Sequence, residues 1–217
     1  MKRGWLFDFG KNIREEIDDG RASRGREYVR NGAVRKIEIN PGKIAAQVSG
    51  TKLYDVNIYG NTLSEEDKRK VINIINKKGY LSSLLSYKFP TSIIDDLDEE
   101  GIELIPRNLS YECTCPDYQR PCKHIYAVYL TAYDIISNNP LLLFKFLGIN
   151  KEELIYEKGQ KIMQEISVKD FQRKYEFPSI KFVNAKPWNK FGNDKEVVKH
   201  MYMLIMKTAE RKIDELK

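Results

Sequence analysis

Cys113, Cys115, Cys122 and His124 fall within one stretch, CTCPDYQRPCKH, which holds every cysteine of the chain and one of its two histidines. Cys113 and Cys115 are separated by one residue, which is poor disulfide geometry, and three cysteines cannot all pair. With no secretory signal in sight, the pattern Cys-X-Cys…Cys-X-His reads as metal ligation. Three thiolates and an imidazole are the donor set of a tetrahedral structural zinc site. All four positions are filled by protein, whereas catalytic zinc keeps one open for water. One structural Zn²⁺ is therefore expected, with Arg120 and Lys123 beside it to offset the net negative charge. Chelation is expected to melt the surroundings, residues 109–137.

Other chemistry is sparse. Asp95, Asp96, Asp98, Glu99 and Glu100 are contiguous rather than convergent, so they read as a helix surface and not as a metal-dependent nuclease. His200 reads as an ordinary residue of a C-terminal helix, and Met201, Met203 and Met206 as core filling there. There is no Walker motif, no nucleophile–base pair and no open metal site, so no enzyme is expected. Charge carries more. The chain has 37 Lys and Arg against 31 Asp and Glu, a weak pointer to an acidic partner. Between Arg21 and Lys43 stand seven basic residues (Arg21, Arg24, Arg26, Arg30, Arg35, Lys36, Lys43) against Glu27 and Glu38. They are candidates for contacts to nucleic-acid phosphates, and Tyr28 among them for packing on the sheet. Tyr126, Tyr129 and Tyr133 follow the metal ligands at helical spacing, where they form a candidate partner-binding stripe or a packed face.

These residues need elements to place them. Ser23–Asn31 reads as a short helix capped by Ser23. Period-two alternation follows in three runs: Ala33, Arg35, Ile37 and Ile39; Ile44, Ala46 and Val48; Tyr54, Val56 and Ile58. Asn40-Pro41-Gly42 and Ser49-Gly50 separate them. This is an antiparallel meander with one buried face. Ser64 with Asp67 opens a helix that Lys77-Lys78-Gly79 closes. Helical segments are expected at 80–88 and 91–100, and a strand at 109–115. A helix over 122–137 has Cys122 at its cap and Ile125, Val128, Ala132 and Ile135 on one face. Helices at 140–148, 151–166 and 195–216 follow. The expected fold is α+β, in four parts: an N-terminal antiparallel β region (1–62), a helical connector (63–108), the zinc-binding unit (109–137) and a helical C-terminal region (138–217). No apolar run reaches the roughly 20 residues of a membrane span, and MKRGWLFDFGKNIREE meets Asp8 before any run of signal length, so a cytoplasmic protein is expected.

The stretch CTCPDYQRPCKHIYAVYL resembles the Cys-X-Cys-Pro-Asp…Pro-Cys-Lys-His-Ile-X-Ala-Val core of the SWIM zinc finger in prokaryotic SWIM-domain proteins. RGREYVRNGAVRKIEINPGKIAAQVSGTKLYDVNI and NPLLLFKFLGINKEEL are similar to their flanks, so the resemblance covers roughly residues 20–155. It implies Cys113, Cys115, Cys122 and His124 as zinc ligands. It also implies a role in DNA transactions: an adaptor for a protein partner, such as a recombinase paralog or a SWI/SNF-type ATPase, in recombination, repair or remodelling. Direct DNA binding through the basic segment is the alternative. No small-molecule substrate is implied.

Overall fold

Alternating apolar residues build the sheet. In the computed structural model, which describes residues 4–155, β1 (Val34–Asn40), β2 (Lys43–Ser49), β3 (Leu53–Tyr59) and β4 (Ser110–Cys113) form one antiparallel sheet in the order β1-β2-β3-β4. In β2 and β3 the alternation holds throughout: Ile44, Ala46, Val48, Tyr54, Val56 and Ile58 are buried, and their neighbours are not. β1 departs from it. Arg35 pairs with Gln47 but Glu38 pairs with Ala45, so Lys36 and Ile37 both stand opposite Ala46. Lys36 takes φ 48°, and this bulge turns the strand over. Val34 therefore faces the same side as Val48, and Ile39 the same side as Ile44, rather than Ala33, Arg35, Ile37 and Ile39 sharing one face.

The helix before the sheet also starts earlier than Ser23. α2 spans Asp19–Arg30, and Asp18 caps it by accepting from the Arg21 amide at 2.9 Å. Ahead of it lies α1 (Lys11–Glu16), which the sequence pattern does not announce. Leu6, Phe9 and Ile13 of this N-terminal stretch are buried. Asn12 ties the stretch to the chain just before β4, its side chain exchanging two hydrogen bonds with the Leu109 backbone. α3 (Glu65–Lys77) begins at Ser64, whose hydroxyl accepts from the Asp67 amide, and ends before Gly79 at φ 78°. α4 (Leu81–Leu85) and α5 (Ser92–Asp98) fall inside the expected segments.

α6 (Lys123–Asn138) is the centre of the molecule. It touches all four strands on one side and α2 on another. Ile125, Tyr126, Ala127, Val128, Tyr129, Ala132 and Ile136 are buried, so the helix is apolar nearly all round, as a helix enclosed by its neighbours must be. Gly25 sets how closely α2 approaches: a Cβ there would stand 2.8 Å from the Tyr126 ring and 3.1 Å from the Lys123 carbonyl. α7 (Leu141–Phe146) closes the β1 end with buried Leu143, Phe144 and Phe146. Residues 151–155 are helical. The expected helix at 195–216, with His200, Met201, Met203 and Met206, lies outside the described residues, as does the rest of the 151–166 helix. Among the described residues no helix is long and apolar enough to cross a membrane.

Candidate metal centre

The four candidate metal ligands come from two elements that meet end to end. β4 delivers Cys113, which pairs with Val56. Thr114 then fixes the turn, its amide donating to the Asp55 carbonyl (3.1 Å) and its hydroxyl accepting from the Asp55 amide (3.0 Å). Cys122 is the extended cap of α6, and His124 lies in the first turn of that helix. This resolves the tight Cys-X-His spacing, because only the histidine is helical.

The ligand atoms of Cys113, Cys115, Cys122 and His124 all lie within 4.8 Å of one another. His124 Nδ1 stands 3.9 Å from Cys113 Sγ and 4.0 Å from Cys122 Sγ. Bonds of about 2.3 Å to sulfur and about 2.0 Å to nitrogen give tetrahedral S···N edges of about 3.5 Å, so small shifts close the site around zinc. All three cysteines are free, and all four residues except half-buried Cys113 are buried. Hydrogen bonding from Cys113, and then from His124, holds the Cys122 thiol below its ordinary range, while the same contact and burial push Cys113 up. Binding a divalent cation here would release the protons that these thiols carry. The donor set and its convergence fit a structural zinc ion held by all four side chains.

The surroundings hold these ligands in place. The His124 ring stacks on Tyr54 (centroids 4.7 Å apart) and meets Tyr28 edge-on at 5.2 Å. Its Nε2 is buried without a hydrogen-bond partner, so on that side the rings, and not a hydrogen bond, hold it. Arg120 directs Nη1 to Cys115 Sγ at 3.9 Å and to the Asp117 carbonyl, and Nη2 to the Cys113 carbonyl at 3.1 Å. The expected charge compensation thus takes the form of a clamp across the loop. Lys123 instead places its ammonium over the Tyr28 ring at 5.1 Å.

Arg21 is paired with two acids. Its Nε and Nη2 grip both oxygens of Asp117 at 3.0 Å, and its Nη1 meets Asp18 at 2.6 Å. Each guanidinium nitrogen thus already faces a carboxylate oxygen. Arg21 holds Asp117 below the usual carboxylate range, chiefly through these hydrogen bonds, and locks the zinc loop onto α2. We expect Arg21→Ala, and equally Arg21→Lys, which lacks the planar fork, to lower zinc affinity about tenfold while the fold survives. Competition with a metal-sensitive dye would measure it, and unchanged affinity would reduce the pair to a surface contact.

The other basic residues divide. Arg24, Arg26, Arg30, Arg35 and Lys36 are exposed, and none forms an ion pair among the described residues. Lys43 is half-buried, with its ammonium 5.5 Å from the Tyr59 ring centroid. The tyrosine stripe faces inward: Tyr126 and Tyr129 are buried, the Tyr129 hydroxyl donates to the Phe9 carbonyl at 3.1 Å, and Tyr133 is half-buried. α2 and the N-terminal segment cover the surface that a partner would need. One exposed aromatic has no signal in the sequence pattern. Tyr118, at the tip of the zinc loop, is 100% exposed. Its place between two ligand pairs is visible in the sequence, but its lack of packing is not.

Residues 96–133 match the family model of the SWIM zinc finger, so the chain carries a SWIM zinc finger, a binding domain built on zinc. The chain is also similar to the uncharacterized protein Rv2102 of Mycobacterium tuberculosis, with 30% identity over 150 residues, 66% of this chain and 54% of the relative. It thus spans about half the length of that curated relative. No solved structure matches.

Proposed function

We propose that the chain is a non-enzymatic nucleic-acid-binding module of DNA transactions, in which zinc braces the scaffold and the α2–β1 segment meets the phosphates. One observation carries this reading. Arg24, Arg26, Arg30, Arg35 and Lys36 are exposed and lack ion pairs among the described residues, on a segment that Arg21 pins to the zinc loop. Ordinary surface cations tend to find acids, and between Asp19 and Asn40 only Asp19, Glu27 and Glu38 are interspersed, with Asp18 at the cap within reach of the Arg24 charge. Unneutralised cations on a rigid helix and a bulged strand suit counterion release from a polyanion. The reading as an adaptor for a recombinase paralog or SWI/SNF-type ATPase loses its main sequence feature, since the tyrosine stripe is largely covered.

Fluorescence anisotropy of the zinc-loaded protein on single- and double-stranded DNA across a salt series tests the proposal. We expect a steep salt slope. Arg24→Glu with Arg26→Glu should weaken binding at least tenfold and flatten the slope by roughly one unit for each phosphate no longer neutralised. No binding at low salt would return the function to a protein partner.

A further inference from the structure

We propose that Tyr118 is a stacking platform for an unpaired nucleobase, so that the zinc loop makes the module a binder of single-stranded nucleic acid. This rests on the nucleic-acid reading above and adds to it a site apart from the α2–β1 cations.

The tip of the loop is built to hold a ring out in water. Tyr118 is 100% exposed, the most exposed of the large hydrophobic side chains among the described residues, and it touches no part of the core. The backbone beneath it is nonetheless fixed from both sides. Asp117 is gripped by Arg21 across 96 residues of sequence and also accepts from the Gln119 amide at 3.2 Å. Arg120 reaches back to the Asp117 and Cys113 carbonyls. Zinc ligands stand at either end, Cys115 three residues before Tyr118 and Cys122 four residues after it. A free loop would cost entropy on binding, and this one has little left to lose.

The charge around the ring selects the ligand. Lys123, half-buried on the adjoining start of α6, lies over the Tyr28 ring, and Arg120, though exposed, also holds the loop carbonyls, so each keeps its positive charge beside the loop while already in contact with it. Lys123 forms no ion pair among the described residues. Asp117, the one acid of the loop, is already neutralised by Arg21. An exposed aromatic on a loop whose flanks carry Arg120 and Lys123 matches a base carried on a phosphate chain, with the ring taking the base and the flanking cations meeting the phosphates. Bases in a duplex present no free face, so the ring distinguishes single strands from double strands. The α2–β1 cations do not.

The probe is an oligothymidylate of about 12 nucleotides, within the usual site size for single strands. Tyr118→Ala should weaken its binding about tenfold and leave duplex affinity, salt slope and zinc content unchanged. Since the ring packs on nothing, folding is not at risk. Tyr118→Trp should keep the affinity and lose its added tryptophan fluorescence on oligothymidylate binding, which reports stacking directly. If the unaltered protein binds DNA but Tyr118→Ala matches it on the single strand, or weakens single and double strands alike, or the tryptophan is not quenched, the stacking site is overturned and the α2–β1 reading survives. If the unaltered protein binds neither form of DNA, both fall together.

Discussion

Stripping zinc from the protein is expected to unfold the whole of residues 4–155, not only the finger around residues 109–137. The sequence alone suggests a local loss. The structure argues for a global one because the ligands join the end of β4 to the start of α6. α6 touches every strand and α2, and the buried side chains of sheet, helices and N-terminal segment form one continuous core. In finger peptides structural zinc is worth about 10–16 kcal/mol of apparent folding free energy. A domain of ordinary stability has only about 5–15 kcal/mol in total. The metal contribution is thus as large as the stability it supports. Without it, Cys122 and His124 are buried with only weak thiol–imidazole contacts to each other and to Cys113. Cys122→Ser should reproduce the effect of chelation, since Cys122 is 0% exposed. Cys113→Ser should be milder, since Cys113 is half-buried. The check is thermal unfolding followed by near- and far-ultraviolet circular dichroism before and after chelation, with the zinc content measured. One cooperative transition, lost or lowered by more than about 15 °C, is expected. Two transitions, with the second unmoved by chelation, would show that the sheet and the helices stand without the finger.

What the sequence made legible was local. The zinc ligands lie within twelve positions, and thiolate and imidazole chemistry needs no tertiary context to be recognised. β2 and β3 were readable because strict alternation with a polar outer face has one physical cause. α3 was readable from its cap, where Ser64 and Asp67 bond as their spacing suggests. What was hidden depended on partners far along the chain. The bulge at Lys36 exists because β1 must turn its later residues onto the same face as Ile44, and no residue of β1 alone signals it. α2 begins at Asp19, where Gly20 in the first turn disguises a helix. Leu6, Phe9 and Ile13 keep a helical spacing, but Gly10 at φ 56° interrupts the helix between them, so the pattern is a turn followed by a short helix. Arg21 looked like a free cation because Asp117, its counterpart, lies 96 residues away.

The tyrosines after the finger pose the same problem, and Tyr129 tests it most sharply. A stripe at helical spacing is equally an interface or a core face in sequence, since tyrosine serves both. In the fold Tyr129 is 1% exposed, its ring lies where a Cβ on Gly10 would come within 2.9 Å, and its hydroxyl donates to the Phe9 carbonyl. Burial also pushes the phenol well above its ordinary range, which keeps it a donor at any working pH. Tyr129→Ala should therefore cost about 3–5 kcal/mol, the usual loss when a large buried aromatic leaves a cavity. Tyr129→Phe should cost only about 1 kcal/mol, the net value of one hydrogen bond. Tyr133→Ala, at a half-buried site, should cost far less than Tyr129→Ala, about 1 kcal/mol. Urea unfolding of the zinc-loaded variants measures all three. If Tyr129→Ala kept full stability but lost a binding partner, the helix after the finger would be the interface and the N-terminal segment a removable cover. If stability instead falls in this order, α6 is structural along its length. On the proposed reading, recognition then falls to surfaces that the core does not use, the cations of α2 and β1 and the loop beside them.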